Sequence, residues 1–187
     1  MHEPSPPWRC LPHTPFLQLR NPSFMTCTRD SHIPFTIIPF PSMRLPIQVQ
    51  AILYRKTNTK TQYLLLKRTS TLGKFWQPVT GGIEKGETKT QALKREIQEE
   101  TGIKNLTKII KNVHHYEFRD LFKQENRQRL IKEYAYGVEV SPNEKITISQ
   151  EHTEHKWCNF KEALKKLKYK ENKETLKKLN KILSVQK

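Results

Sequence analysis

Hydrophobic residues fall at every second position soon after residue 44, and this alternation predicts the first strand of a sheet. The alternating residues are Ile47, Val49, Ala51 and Leu53. Residues 63–68 predict a partner strand across a polar turn at residues 56–62. Further along the chain, residues 106–118 and 130–140 predict two more strands, and a short strand is expected around Trp157.

A helical period replaces this alternation between residues 88 and 102. Ala92, Leu93 and Ile97 form a narrow apolar stripe that can pack on a core and leave the remaining faces to polar residues. Thr88 can cap the helix, Gln91 completes a capping box, and Gly102 is the expected left-handed stop. The pattern therefore predicts one well-delimited helix between strands.

The end of the chain, from residue 160, predicts a closing helix with lysines on its solvent faces. Its candidate core residues are Leu164, Leu167, Leu176, Leu179 and Leu183. Strands on both sides of a helix, followed by a closing helix, indicate an α/β sandwich. The lysine-rich residues 161–187 favour a solvated amphipathic helix over an RNA-binding arm.

Composition changes sharply near residue 43. Nine of the twelve prolines precede Met43, and every lysine, from Lys56 onward, follows it. Residues 1–43 carry no period of 2 or 3.6, so we expect a disordered proline-rich extension before a domain at residues 44–187. The extension lacks the pattern of a targeting peptide, and a translated upstream stretch with the start at Met43 is favoured over a functional extension.

Net charge and cysteine content give weaker evidence about binding partners and cellular compartment. The net charge of +16 suits polyanionic partners, but 24 of the 34 basic residues are lysines, which is more typical of a solvated surface than of bidentate phosphate clamps. Three scattered cysteines argue against a disulfide framework or a zinc ribbon and favour a reducing, cytoplasmic compartment. No apolar run reaches the length of about 20 residues that spans a bilayer, so no membrane partner is expected.

The candidate chemistry lies between residues 81 and 103, in the stretch GGIEKGETKTQALKREIQEETGI. Glu96, Glu99 and Glu100 stand at i, i+3 and i+4, so on a helix their carboxylates converge on one surface patch. A bound Mg²⁺ or Mn²⁺ would relieve their mutual repulsion. Gly81 and Gly82 are expected to turn the backbone tightly beside a ligand.

This stretch resembles the Nudix box, with every fixed position present, and residues 44–187 resemble the Nudix hydrolase superfamily. The resemblance implies an α/β/α sandwich with a mixed sheet. It also implies that Glu96, Glu99 and Glu100 bind the metal, that Arg95 orients them, and that Glu96 or Glu99 is the general base. The residues of the structural motif are Gly81, Gly82, Glu87 and Gly102. Glu151, in the segment EHTEHKW, matches a metal ligand that is supplied from outside the box.

Beyond the box, residues 65–68, 75–82 and 151–157 look most like the bacterial dihydroneopterin triphosphate pyrophosphatases. Arg44, Arg68, Thr80 and Gly81 match substrate-contacting positions of those enzymes, although ordinary solvation of strand ends would explain the arginines and the threonine equally well. Similar flanks occur in diadenosine tetraphosphate hydrolases and RNA pyrophosphohydrolases. A zinc site at His152 and His155 is rejected, because H-T-E-H is not the HExxH spacing.

The sequence thus predicts a Mg²⁺-dependent pyrophosphohydrolase that converts dihydroneopterin triphosphate or a deoxynucleoside triphosphate to a monophosphate and pyrophosphate. The alternatives are hydrolysis of dinucleoside polyphosphates or of RNA 5′-ends. An inert binding module would show a broken box, and a nucleic-acid-binding protein would show aromatic platforms or an arginine stripe. Neither feature is evident, and the oligomeric state stays open.

Overall fold

The computed structural model describes residues 45–58, 60–122 and 127–185. Arg44 and the proline-rich residues 1–43 lie outside these ranges. Within them, the strands are β1 (Ile47–Lys56), β2 (Thr61–Arg68), β3 (Trp76–Gln77), β4 (Val79–Gly82), β5 (Lys108–Phe122), β6 (Arg127–Glu139) and β7 (His152–Cys158). The helices are α1 (Lys89–Thr101), α2 (Phe160–Lys166) and α3 (Lys170–Val185). Each predicted strand is present, with bounds shifted by a few residues.

β1 is the central strand of one mixed sheet. It pairs in parallel with β6 on one side, and on the other side it pairs antiparallel with β2 near its end and with β4 near its start. The path through the sheet runs β3-β2-β1-β6-β5, while β7 joins β2. The mixed sheet that the resemblance implied is therefore confirmed.

Helices cover both faces of this sheet, because the side chains of β1 alternate between two cores. Val49, Ala51 and Leu53 pack in one core with Leu93 and Ile97 of α1. Ile52 and Tyr54 face the other core, which is closed by residues of α2 and α3: Ala163, Leu176, Leu179 and Leu183. Burying each such leucine contributes about 1.5–3 kcal/mol relative to exposure. The α/β/α sandwich follows directly from this two-sided burial.

The predicted caps of α1 are confirmed. The Thr88 side chain accepts a hydrogen bond from the Gln91 backbone, and the Gln91 side chain accepts one from the Thr88 backbone. Gly102 ends the helix in the left-handed region, at φ 74°. The helix that carries the glutamates is thus fixed at both ends by its own sequence.

The predicted continuous helix after residue 160 is wrong. The backbone of Leu167 is extended, at ψ 131°, and forms a parallel bridge with Trp76 of β3, so α2 and α3 are separate helices. Leu167 is buried as predicted, whereas Leu164 is only partly buried. In the described ranges, no helix combines the length and apolar character that crossing a membrane requires.

Candidate active site

Arg95 holds the polar face of α1 together. Its guanidinium donates to both carboxylate oxygens of Glu87 at 2.9 Å, to Glu96 Oε1 at 2.7 Å and to Glu99 Oε2 at 3.1 Å. A further bond, at 2.8 Å, reaches the carbonyl of Gly82 in β4. These bonds, with Glu87 foremost, hold the pKa of Arg95 above its usual value and the pKa of Glu87 below its usual value. Arg95 therefore ties the helix to the strand before it.

The glycine pair does not form the predicted tight turn. Gly81 and Gly82 lie in β4, where they pair with Val49 and Gln48 of β1. Glycine is needed at position 81 for a different reason: a Cβ built there would lie 1.7 Å from the carboxyl carbon of Glu96. The missing side chain makes room for a carboxylate of the box.

Glu96 and Glu100 are buried, at 7% and 6% exposure, and only Glu99 lies on an exposed face. The prediction that all three glutamates occupy a solvent face is therefore wrong for two of them. Burial raises the pKa of Glu100 to about 9, and the charges of Glu96 and Glu151 add to this rise. Arg68 and a backbone hydrogen bond with Thr80 act in the opposite direction.

Two buried polar atoms beside each other have no hydrogen-bond partner. They are Glu100 Oε2 and His152 Nε2, which lie 3.9 Å apart. Burial, followed by the nearby charge of Arg68, lowers the pKa of His152, so the imidazole is uncharged at neutral pH and supplies no positive charge to Glu100. Glu100 thus keeps one oxygen available for a cation.

Glu151 and Arg68 line the same cleft and are bonded to each other. Glu151 directly precedes β7, and its Oε2 accepts a hydrogen bond from Arg68 at 3.2 Å. Arg68 ends β2, and its buried Nε has no hydrogen-bond partner. The same cleft therefore presents a distant carboxylate, as the sequence predicted, together with a guanidinium donor.

A cleft of about 870 Å³ joins these groups. Its acidic lining residues are Glu96, Glu99, Glu100, Glu133, Glu151 and Glu171, and Arg68, Thr80, Gly81 and Gly82 also line it. Within the described ranges, no three His, Cys, Asp or Glu side chains are grouped closely enough to hold a metal ion as they stand. The three box glutamates share the cleft without forming a ready-made cluster, and Arg95 binds two of them, Glu96 and Glu99.

A second polar group on the cleft was missed by the sequence reasoning. Gln50 Nε2 lies 2.8 Å from Glu133 Oε1, 2.9 Å from Asn172 Oδ1 and 3.1 Å from the Tyr116 hydroxyl. Glu133 is 4% exposed and Asn172 6% exposed. One signal was available: Glu133 shares a strand face with Ile131 and Ala135, which are buried apolar positions.

Comparison with known protein families identifies the domain that carries this site. The model of the NUDIX domain matches residues 46–179. This chain belongs to the Nudix hydrolase family. Its match covers the sheet, the box helix and most of α3, so the Nudix domain and the described sandwich coincide.

Three further comparisons show which proteins this Nudix domain is similar to. The asymmetrical bis(5′-nucleosyl)-tetraphosphatase of Caenorhabditis elegans is 30% identical over 133 residues, which cover 71% of this chain and 93% of that protein. The structure of the Escherichia coli dihydroneopterin triphosphate pyrophosphohydrolase superposes with a TM-score of 0.61 at 27% identity, over 73% of this chain and 96% of that one. A Myxococcus xanthus octanoyltransferase is 30% identical over 63% of this chain, which spans only 32% of that protein.

Proposed function

We propose that this Nudix protein is a Mg²⁺-dependent pyrophosphohydrolase that cleaves a nucleoside triphosphate-like substrate, dihydroneopterin triphosphate or a deoxynucleoside triphosphate, into a monophosphate and pyrophosphate. The observation that carries the proposal is the buried, unpartnered oxygen of Glu100 in a cleft lined by glutamates. The chain as a whole has a net charge of +16, yet this cleft is lined by several glutamates. Such a local concentration of negative charge favours the binding of cations.

The chemistry of the donor set fits a divalent metal, although the side chains would have to move closer together to bind one. Carboxylate oxygens are the ligands that Mg²⁺ and Mn²⁺ prefer. Glu96, Glu99, Glu100 and Glu151 would hold the metal, and the raised pKa of Glu100 records how poorly its charge is compensated in the protein alone. When bound, the metal would neutralise phosphate charge and increase the acidity of a coordinated water.

The protein groups supply orientation and proton transfer. A carboxylate of Glu96 or Glu99 takes a proton from the attacking water, whose oxygen bonds to phosphorus while the bridging P–O bond of the anhydride breaks. Arg95 holds both carboxylates, at 2.7 Å and 3.1 Å, and acts by positioning them. The Nε–H group of Arg68 is buried and has no hydrogen-bond partner. This free donor on a guanidinium is suited to bind a phosphate oxygen.

Two relatives support different substrates. The match to the C. elegans enzyme covers almost all of that protein, and its name specifies a dinucleoside tetraphosphate. Hydrolysis of dinucleoside polyphosphates is therefore the second candidate. A 5′-triphosphorylated RNA is the third, because the strongly basic composition would suit a longer polyanion.

A hydrolysis panel with product analysis tests the proposal. We would compare kcat/KM for dihydroneopterin triphosphate, dATP, diadenosine tetraphosphate and 5′-triphosphorylated RNA, with Mg²⁺ and with chelator, because kcat/KM reports differential binding of the transition state. We expect Mg²⁺-dependent release of pyrophosphate, with the first two substrates preferred. A clear preference for either of the others moves the assignment to that substrate. Absence of hydrolysis of all four refutes the proposed function.

A further inference from the structure

Four side chains from four elements form a second polar group, which we call the acceptor cluster: Gln50 of β1, Tyr116 of β5, Glu133 of β6 and Asn172 of α3. Besides the bonds of Gln50, the Tyr116 hydroxyl donates to Glu133 Oε1 and lies 3.2 Å from Asn172 Oδ1. Glu133, Asn172 and Tyr116 line the same cleft as the box glutamates. The cluster therefore belongs to the space that a substrate would occupy.

The hydrogens within the acceptor cluster leave one buried acceptor unpaired. The Gln50 amide carries two N–H hydrogens and has three acceptors within 3.1 Å, and the single hydroxyl hydrogen of Tyr116 faces two of them. Gln50 Oε1 is buried, in a residue that is 0% exposed, and has no partner at all. Unpaired buried acceptors cost free energy, so the cluster is suited to a ligand that brings hydrogen-bond donors.

The carboxylate at the centre of the cluster is also poorly compensated. Burial raises the pKa of Glu133 to about 7, the hydrogen bonds from Tyr116 and Gln50 oppose this rise, and the charge of Glu171, which also lines the cleft, adds to it. A buried polar network that served packing alone would be expected to satisfy its own members. This one leaves Gln50 Oε1 unpaired and opens to the cleft through Tyr116, Glu133 and Asn172.

We propose that the acceptor cluster binds the heterocyclic end of the substrate through an edge on which a ring N–H and an exocyclic NH₂ stand side by side, as in the 2-amino-4-oxo rings of guanine and pterin. Two adjacent donors match the two oxygens of one carboxylate. Adenine presents only one donor beside a ring acceptor, and hypoxanthine lacks the amino group. The inference rests on the proposed function, since it assigns the phosphate end of the substrate to the box glutamates.

Aromatic rings near the cluster suit a flat ligand. Tyr116 and Phe118 lie with ring centroids 6.2 Å apart, and Phe75 and Tyr169 form an edge-to-face pair at 5.2 Å. All four residues line the cleft. Aromatic faces would hold a heterocycle by stacking, which does not distinguish between bases, while the acceptor cluster reads its edge.

The test compares GTP with ITP, because these differ only by the 2-amino group. For the wild type we expect kcat/KM to be on the order of 10- to 100-fold higher for GTP, the value of a donor paired with a charged acceptor. Glu133→Gln should reduce this ratio towards one, and Tyr116→Phe should reduce it partly, because it removes one donor that orients Glu133. Glu174→Gln is the matched control: it removes a carboxylate from α3 that pairs with Lys177 at 2.7 Å and does not line the cleft.

Phosphate-free probes separate this inference from the proposed function. Calorimetric binding of guanosine, neopterin and inosine to the full chain needs no hydrolysis, and the first two should bind more tightly than inosine. Comparing guanosine with neopterin shows whether the site prefers this hydrogen-bonding edge on a guanine ring or on a pterin ring. Equal binding of guanosine and inosine, or a GTP to ITP ratio that Glu133→Gln leaves unchanged, overturns the inference even if pyrophosphate is released. A melting temperature lowered by Glu133→Gln without any change in the ratio would show a purely structural network and would overturn it too.

Discussion

The carboxyl group of Glu96 occupies the position in which a side chain at Gly81 would begin: a Cβ on Gly81 would lie 1.7 Å from Glu96 Cδ. No rotation of a methyl group relieves such an overlap, so any substitution at Gly81 must displace Glu96 or the β4 backbone. The glycine of the box is thus a steric partner of one box glutamate.

Gly81→Ala should therefore lower turnover sharply and destabilise the protein by about 1–3 kcal/mol, the usual cost of overpacking. Gly86→Ala is the control, because Gly86 has φ 87° and nothing within 4 Å of its added Cβ. It should cost stability through backbone strain and leave turnover intact. Urea unfolding and steady-state hydrolysis distinguish the two, and a Gly81→Ala enzyme with wild-type kcat/KM would contradict the steric role.

Glu100→Gln should reduce turnover by more than about 100-fold, since it removes a charged ligand from the proposed metal site. The fold should persist, because glutamine fills the same volume without a buried charge. Pyrophosphate release in Mg²⁺ and circular dichroism measure the two effects. Wild-type turnover in this variant would rule out Glu100 as a metal ligand.

Glu151→Ala should raise the Mg²⁺ concentration needed for half-maximal activity. Glu154→Ala is the matched control, because Glu154 is also exposed and also pairs with a basic residue of β2, Lys67. A metal titration of both variants decides the role of Glu151. If the two titrations agree with that of the wild type, Glu151 serves only as the partner of Arg68.

The stability of the protein should depend on pH through Glu133. Its pKa is about 7 in the folded chain against 4.5 ordinarily, so the folded state binds this proton more tightly. The contribution of this group to the free energy of unfolding is complete below pH 4.5 and is lost as the pH rises through 7, by about 3 kcal/mol in total. Glu133→Gln lacks this titration. The unfolding free energy of the wild type minus that of the variant should therefore decrease from pH 5 to pH 8. A difference that stays constant over this range would contradict the raised pKa of Glu133.

A chain that begins at Met43 should keep its activity and melting temperature. The reason is the break in composition near residue 43 and the missing periodicity before it. Differential scanning calorimetry and the hydrolysis panel on the shortened chain measure both. A loss of several degrees or of most activity would make residues 1–42 part of the functional domain.

The sequence predicted α1 well because its determinants are local. Thr88, Gln91 and Gly102 fix its ends within a few residues, and helical spacing alone brings the glutamates near one another. The burial of Glu96 and Glu100 was beyond sequence reasoning, since it depends on β4 and on the approach of His152. Residue spacing predicts which side chains share a face of the helix, but it does not predict which other elements bury that face.

The acceptor cluster and the break between α2 and α3 show the same limit. Gln50 and Asn172 are 122 residues apart, and no local sequence pattern around either residue predicts their contact. The helix break contains neither glycine nor proline; it occurs because the backbone of Leu167 bridges to Trp76 of β3. Tertiary pairing there overrides a leucine pattern that favours one continuous helix.

The parallel pairing of β1 with β6 bears on how the protein is made. β1 is the first of these strands to leave the ribosome, yet its register partners lie far along the chain: Gln50 pairs with Ala135. The side chain of Gln50 also bonds to that of Glu133, 83 residues away. Such distant pairings slow folding, because a large loop must close before any contact forms. Translation must therefore pass residue 139 before the centre of the sheet can assemble. The face of β1 that carries Ile52 and Tyr54 stays uncovered even longer, until α2 and α3 have been made, and is prone to aggregation in that interval.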